Sequence, residues 1–453
     1  MKITFLGATR TVTGSKYLLE LGEKKILIDC GLFQGHRELQ DRNWAKFPIE
    51  PYQIDAVILT HAHLDHSGYL PLLVKQGFTG PIFSTPGTKD LCAILLPDSG
   101  RIQEEDAYFA NKHGYSKHKP ALPLYTEEDA QKVMPQFETV SFEDSHTLFE
   151  GCHFEFSRAA HILGSSFVRL TYQGSSIVFS GDIGRAHDPI MREPSVIEYA
   201  DYLVMESTYG DRLHAKEAPQ EQLAKIINET AERGGSVLIP AFAVGRSQSV
   251  LYHIAQLKEK KKIPDLPVYL DSPMAESVTD IYTRYLKEHC LEKHYCIQLG
   301  KEVNYVNSIE ESKKLDASTF PSIIISASGM ATGGRVLHHL KAMAPNYRNT
   351  VLFTGYQAEG TLGDHLVQGD RKVKIHGEMI SVQAKIAVMS NLSAHADYEE
   401  ILQWLGHFKE APKRVFITHG SDNSARALGA KIEEHLGWKS QVPDYLESVE
   451  LGS

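Results

Sequence analysis

Residues 60–66 read Thr-His-Ala-His-Leu-Asp-His, and this heptapeptide constrains the chain more than any other stretch. Ile54 to Leu59, just before it, is short, apolar and rich in β-branched residues, which predicts a buried strand. Ser67-Gly68-Tyr69-Leu70-Pro71, just after it, lets the chain turn and a helix begin. Four metal-ligand side chains thus fall within six residues on a loop at a strand end. A bend there aims His61 and His63 at one point and Asp65 and His66 at a second. Neutral imidazoles and carboxylates suit zinc. Two groups of ligands suit two zinc ions sharing one water. A merely solvated polar loop would not place so many ligands directly behind a buried strand.

Two zinc ions need more than four ligands, and the chain offers further ones at strand ends. Cys152–Ser157, Ser166–Tyr172 and Ser176–Ser180 are predicted strands. His161 follows the first and Asp182 the last, each flanked by glycines that let backbone pack closely. A lone histidine on such a strand is ordinarily a core residue; the earlier loop is what makes His161 a ligand candidate. Asp201–Met205 is another buried strand and ends in Glu206. Arg414–Ile417 ends in Thr418-His419-Gly420, and Ala384–Met389 precedes Ser393-Ala394-His395. Asp29 ends the second arm of a hairpin (15–21 and 25–29, about Gly22-Glu23). It serves equally as a turn aspartate or as a hydrogen-bond support beneath a metal-bound histidine.

Between these stretches the pattern changes. From about residue 209 to 385, strands (236–240, 267–270, 321–326, 351–353) alternate with helices (221–233, 246–259, 276–289, 336–342), which predicts a parallel, Rossmann-like α/β domain. The simplest organisation is one metal domain, 1–208 and 386–453, interrupted by an inserted domain, 209–385. Ser328-Gly329-Met330-Ala331-Thr332-Gly333-Gly334-Arg335 joins a strand to a helix. Its glycines suit an anion at a helix N-terminus or, equally, tight packing. Thr88–Leu96 reads as a helix. Residues 97–125 read as a polar surface insertion with some helix, leaving His113 and His118 exposed.

Bulk properties exclude several classes. No apolar run reaches membrane-spanning length, and the N-terminus is too short an apolar run for a signal peptide. Five scattered cysteines (30, 92, 152, 290, 296) without Cys-x-x-Cys spacing argue against a disulfide framework and fit a reducing cytoplasm. The net charge of −10 argues against general polyanion affinity but does not bear on a local groove.

Taken together, His61-x-His63-x-Asp65-His66, His161 and Asp182 resemble the metallo-β-lactamase superfamily. Glu206, His395 and His419, with the α/β domain between, resemble the extra motifs of its β-CASP nucleases, and most of all the bacterial and archaeal relatives of the cleavage and polyadenylation endonuclease. Residues 329–335 and 355–363 are also typical of these relatives. The resemblance implies an αββα sandwich with the inserted β-CASP domain, forming a cleft with the zincs at its floor. It implies that His61, His63 and His161 hold one zinc, that Asp65, His66 and His419 hold the other, and that Asp182 bridges them. Manganese stays open on ligand type. A metal-bridging hydroxide would attack phosphorus, with His395 as general acid kept protonated by Glu206. Ser328, Gly333, Gly334, Arg335 and Ser393 would anchor flanking phosphates. Histidine rather than valine at 419 points to single-stranded RNA over DNA, with 5′-phosphate and 3′-hydroxyl products. The chain shows neither the further C-terminal domain of ribonuclease J relatives nor the N-terminal RNA-binding domains of many archaeal members. That favours endonucleolytic cutting over processive exonuclease action. In the family a dimer contact often lies beside the cleft, so a homodimer is the assembly to test. Two other readings compete: a small-molecule hydrolase of thioesterase or lactamase type, for which a long cleft is superfluous, and a non-catalytic RNA-processing subunit, which missing ligands would mark.

Overall fold

The computed structural model describes residues 1–114, 116, 118–292 and 303–452. They form two compact units, Met1–Leu213 with His395–Ser453, and His214–Ala394.

The first unit is an αββα sandwich of two seven-stranded sheets. One sheet runs in the order Ser448–Glu450, Lys2–Phe5, Tyr17–Leu21, Lys24–Ile28, Ala56–Ile58, Ile82–Ser84, Phe137–Thr139. The other runs Ser440–Gln441, Arg414–Ile417, Tyr202–Met205, Ser175–Phe179, Ser166–Tyr172, Cys152–Arg158, Ser145–Phe149. Strand alternation divides the core into layers. Phe5, Ile28, Ile58, Phe154, Phe156, Ile177, Phe179, Val204 and Phe416 meet between the sheets. Their neighbours Val178, Leu203, Met205, Val415 and Ile417 face outward onto helices Tyr398–Leu405 and Asp422–Leu436, against Ile401, Trp404, Leu405, Leu428 and Ile432. Strands buried on both faces read as continuous apolar runs, which is why they are visible in the sequence. The hairpin 17–28 turns on Gly22-Glu23, with Leu21 opposite Lys24 and Gly22 at φ 65°.

The second unit is built on an all-parallel six-stranded sheet: Asn304–Tyr305, Val268–Asp271, Ile323–Ser326, Val237–Pro240, Thr350–Phe353, Lys385–Val388. A two-stranded hairpin, Lys372–Ile375 with Glu378–Ser381, accompanies it.

The sequence places the unit boundaries at 208/209 and 385/386, whereas the compact units part at 213/214 and 394/395. The later position follows from Lys385–Val388, which pairs along its length with Thr350–Phe353. The helix expected over 88–96 extends from Pro86 to His113, through Pro97. An interior proline costs about 3 kcal/mol. Against that, Leu91, Cys92, Leu95, Leu96, Ser99 and Gly100 are buried on one side, and Ser99 Oγ bonds Tyr125 Oη at 2.8 Å. His113 and His118 are exposed. Cys30, Cys92 and Cys152 are buried free thiols and Cys290 is exposed; Cys296 lies outside the described residues. Among the described residues no helix is long and apolar enough to cross a membrane.

Candidate metal centre

Ligand candidates gather at one edge of the sandwich because each follows the carboxyl end of a strand. Asp29 follows Lys24–Ile28, the His61–His66 loop follows Ala56–Ile58, and His161 follows Cys152–Arg158. Asp182, Glu206 and His419 follow Ser175–Phe179, Tyr202–Met205 and Arg414–Ile417, which are mutually parallel. Left-handed backbone turns the chain sharply there: φ is 58° at Asp29, 65° at Ala160 and 48° at His419. For non-glycine residues each such turn costs of order 1–3 kcal/mol, offset by the packing that holds it.

Main-chain bonds pin the histidine loop. Ser15 N–H donates to Asp65 O (2.8 Å), Cys30 N–H to His66 O (2.7 Å) and Leu32 N–H to Leu64 O (2.8 Å). Gly31 lies so close that a Cβ there would stand 1.6 Å from the Asp65 carbonyl oxygen. His419 N–H donates to Ala8 O at 2.7 Å.

Two donor groups result, His61–His63–His161–Asp182 and Asp65–His66–Asp182–His419. In the first, His63 Nδ1 lies 3.2 Å from both His61 Nε2 and His161 Nε2, and Asp182 Oδ2 lies 3.4 Å from the same two Nε2 atoms. In the second, His66 Nε2 is 3.1 Å from His419 Nε2 and 3.2 Å from Asp182 Oδ1. Asp65 Oδ2 is 3.2 Å from His419 Nε2 and 3.7 Å from His66 Nε2. Metal–donor arms of about 2.0–2.1 Å set neighbouring tetrahedral vertices about 3.3–3.4 Å apart. The spacing therefore fits a small divalent cation in each group, with Asp182 giving one oxygen to each.

Electrostatics agree with the geometry. Burial pushes His61 down to about 3 and His63 to about 4, and drives His161 well below the usual imidazole range, so all three are neutral and able to ligate. For Asp65 and Asp182 burial alone would raise the carboxyl, but facing imidazoles outweigh it and hold both well below the ordinary range. His66 is the exception. Burial opposes its charge, yet Asp182, Asp29 and Asp65 raise it well above normal. Two buried carboxylates, Asp29 and Asp182, and the half-buried Asp65 around one imidazole call for positive charge, which a divalent cation would supply.

Asp29 is fully buried and accepts three bonds, from Thr60 N–H (2.8 Å), Thr60 Oγ1–H (2.9 Å) and His66 Nδ1–H (2.8 Å). That last bond leaves His66 Nε2 facing the second group. Glu206, also buried, faces His395 Nδ1 at 3.1 and 3.2 Å and accepts from Ile183 N–H (2.6 Å) and Thr208 N–H (3.2 Å). The His395 ring centroid is 4.4 Å from that of His161. Burial opposes the His395 charge, but Glu206 and then Asp182 raise its affinity for a proton above normal.

Sequence reasoning passes over three hydroxyls. Thr60 supports Asp29 and also lies 3.1 Å from His61 Nδ1; Ser15 Oγ is 3.3 Å from His66 Nε2; Thr208 Oγ1 is 3.2 Å from His419 Nδ1. The available signal is position, since Thr60 directly precedes His61 and Thr208 is two residues beyond Glu206.

Ser328, Gly333, Gly334, Arg335 and Ser393 all lie in the second unit. Ser328 Oγ accepts from Thr332 N–H at 3.0 Å, Gly334 has φ 76°, and Ser393 is buried. Arg335 is already engaged: it donates to Asp271 Oδ1 (2.6 Å), Val306 O (2.8 Å) and Asn307 O (2.9 Å).

An αββα frame whose strand ends deliver two histidine–aspartate groups sharing one carboxylate is that of a metallo-hydrolase. Comparison with known proteins narrows the class. Residues 10–84 match the metallo-beta-lactamase superfamily, 247–366 the Beta-Casp domain, and 379–443 a Zn-dependent metallo-hydrolase RNA specificity domain. The chain is 36% identical to a ribonuclease of Thermus thermophilus over 95% of both chains. It is 31% identical to a transcription termination factor of Thermococcus kodakarensis over all of this chain and 71% of the relative. It is 30% identical to an RNase J-like protein of Methanocaldococcus jannaschii over 97% of each. A solved structure of a protein of unknown function from Enterococcus faecalis V583 shares the fold, with a TM-score of 0.53 and 15% identity over 99% of each chain. The chain belongs to the β-CASP family of the metallo-β-lactamase superfamily.

Proposed function

We propose that the protein is a two-zinc ribonuclease that cuts single-stranded RNA internally. The observation that carries this reading is the pair of donor groups sharing Asp182, with the His395–Glu206 pair alongside. The imidazole-rich donor set favours zinc over manganese. Two ions bound there would supply Lewis acidity, polarising the scissile phosphate and making water acidic enough to attack near neutral pH.

The remaining work falls to side chains. His61, His63 and His161 would hold one ion and Asp65, His66 and His419 the other, with Asp182 shared between the two groups. Asp29 holds the proton on His66 Nδ1 and keeps Nε2 available as a ligand. Glu206 holds a proton on His395 Nδ1, so the opposite nitrogen, Nε2, can deliver its own proton to the departing 3′ oxygen. That order leaves a 3′-hydroxyl and a 5′-phosphate. Ser328, Gly333, Gly334 and Ser393 take the flanking phosphates. Arg335, tied to Asp271, shapes that loop and offers its remaining donors. Similarity to a ribonuclease and an RNase J-like protein, and the match to an RNA specificity domain, support RNA as the substrate. The domain limits 1–208, 209–385 and 386–453 belong to the same reading, beside compact units that part at 213/214 and 394/395. Cytoplasmic location and a homodimer complete it.

The test is metal content and cleavage of matched single-stranded RNA and DNA by the wild type and His395→Ala. The expected result is about two zinc ions per chain in both proteins, with RNA cut by the wild type and the rate down by about 10²–10⁴ in the variant. A zinc-loaded wild type that leaves RNA intact would move the assignment to a small-molecule hydrolase or a non-catalytic subunit.

A further inference from the structure

We propose that the loop 7–14, in the first unit, binds a phosphate group of the RNA strand through main-chain N–H groups beside the second donor group. The inference rests on the RNA reading above and adds a contact that none of the phosphate residues named there supplies. The loop is bracketed by residues that hold the second donor group. Ala8 O accepts from His419 N–H (2.7 Å), Ser15 N–H donates to Asp65 O (2.8 Å), and Ser15 Oγ lies 3.3 Å from His66 Nε2. Its two ends are pinched together: a Cβ on Gly7 would overlap the Gly14 carbonyl, and one on Gly14 would run into the Phe33 ring. Thr13 fixes the return, its Oγ1–H donating to Gln34 O (3.2 Å) and its Oγ1 accepting from Gln34 N–H (3.1 Å).

Inside that frame donors outnumber acceptors. Ala8 N–H reaches the Thr13 carbonyl (3.2 Å), but among the described residues the N–H groups of Gly7 and of residues 9–14 find no acceptor. The Thr9 hydroxyl is buried without a partner as well, on a residue only 6% exposed. Arg10 and Thr11 reach solvent, whereas Gly7, Thr9, Val12, Thr13 and Gly14 are buried. Native folds seldom bury so many donors unmet. The backbone is left-handed at Ala8 (φ 51°) and again at Arg10 (φ 54°), but not at Thr9 between them. Such alternation turns successive N–H groups toward one concave side, which suits an anion.

Charge points the same way. Residues 7–16 contain Arg10 and Lys16 and no aspartate or glutamate. Arg10 is taken by Asp422 (3.4 Å) and Asp444 (2.7 Å). Lys16 is not. It is 2% exposed, and its ammonium meets Gly14 O at 3.4 Å and the faces of Phe33 and Tyr69 at 4.3 and 4.9 Å, with no carboxylate in ion-pair range among the described residues. Burial lowers Lys16 only to about 8, so it is charged at neutral pH. Cys30 and Tyr69 offer it no negative charge, because burial pushes the thiol up to about 12 and the phenol higher still. A buried cation without an anion is costly. A phosphate brings the missing charge and enough acceptor oxygens for several N–H groups at once; a neutral ligand brings only acceptors.

The experiment follows the amide protons of residues 9–13 by NMR in the intact, zinc-loaded chain. Inorganic phosphate is added to the wild type, and a short single-stranded RNA to His395→Ala, in which cutting is slow. Both probes should move these protons downfield, as a bond to an anionic oxygen does, and phosphate should displace the strand. Thr9→Val keeps the shape of its side chain and removes the hydroxyl; Lys16→Met keeps the length and removes the charge. Each should weaken RNA binding about tenfold, the loss of one hydrogen bond to a charged group, as a rise in KM with kcat and zinc content held. Lys16→Met should also lower the log–log salt slope by about 0.7. Should Lys16→Met melt early, Thr9→Val and the wild-type amide shifts still decide. Amide protons that stay in place with both probes overturn the site. Shifts with phosphate and none with the strand mean an adventitious ion only, and overturn it too. Shifts with both probes on a wild type that never cuts RNA overturn the ribonuclease reading and leave the site standing.

Discussion

Replacing Asp29 by asparagine would keep the shape of this side chain and change one element of it, the ability to accept on both sides. Asp29 accepts three hydrogen bonds and donates none. An asparagine can turn its oxygen toward Thr60 N–H or toward His66 Nδ1, but not toward both. One turn points an amide N–H at the Thr60 N–H. The other points it at His66 Nδ1, which favours the tautomer with the proton on Nε2 and removes that nitrogen as a ligand. Loss of such a support costs about 10–100-fold in metal affinity, or about 1.4–2.7 kcal/mol. The buried charge-assisted bond is worth a further ~1.5–3 kcal/mol of fold stability. The assay is chelator competition for each bound ion, alongside thermal unfolding of the metal-free chain. An ion bound at the His66 group should leave at a lower chelator concentration, while one bound at the His61 group is little changed. Asp55→Asn, at a lysine pair near the surface, should alter neither ion. Chelator curves for Asp29→Asn that overlay the wild type within about twofold would refute the assignment of Asp29 as a metal-site support.

Three further outcomes follow from the geometry. Glu206→Gln removes the charge that raises His395, so the alkaline limb of the pH–rate profile should move to lower pH; the loss should be greater at pH ~8.5 than at pH ~6 with ion content intact, and an equal loss at both would reject the pairing. Gly31→Ala forces a methyl into the Asp65 carbonyl and should cost ~3 kcal/mol or more of stability together with metal affinity; a variant that melts with the wild type contradicts the close approach. In the second unit His339 is fully buried between Asp271 Oδ2 and Asp316 Oδ1, each 2.7 Å away. Burial opposes its charge, but the two carboxylates raise it from the usual 6.5 to about 9. A raised folded-state value stabilises fully below pH ~6.5 and fades as pH climbs through ~9, by at most ~3 kcal/mol. Hydrogen exchange of Ile323–Ser326, corrected for intrinsic rates, should accelerate over that window in the wild type and not in His339→Gln; the same acceleration in both proteins would count against it.

The clustering of histidines and carboxylates at one sheet edge was legible in the sequence because it needs only two local signals, an apolar strand and a polar donor soon after it. Val57-Ile58 before His61, Val204-Met205 before Glu206 and Phe416-Ile417 before His419 each carry both. What depended on distant partners was not legible. Thr60 looks like any strand-end threonine until Asp29 is placed opposite it. Arg335 looks unengaged until Asp271, 64 positions away, accepts from one of its guanidinium nitrogens. Pro97 reads as a stop because local propensity disfavours it, whereas burial of Leu95, Leu96 and Ser99 keeps the helix going. The hairpin at 372–381 hides because Lys-Val-Lys-Ile shows one exposed face and too short a run. Lys385–Val388 was read with the wrong unit because a parallel strand does not announce which sheet it joins.

His419 reaches the second donor group from beyond the whole of the second unit, on a strand lying between Tyr202–Met205 and Ser440–Gln441. This sets an order of events during biosynthesis. A ribosome delivers His61, His63, His161 and Asp182 early, so the first group's donors are all present in the nascent chain while the second still waits for its last imidazole. The second group is thereby completed only when the carboxyl-terminal strands have emerged and docked.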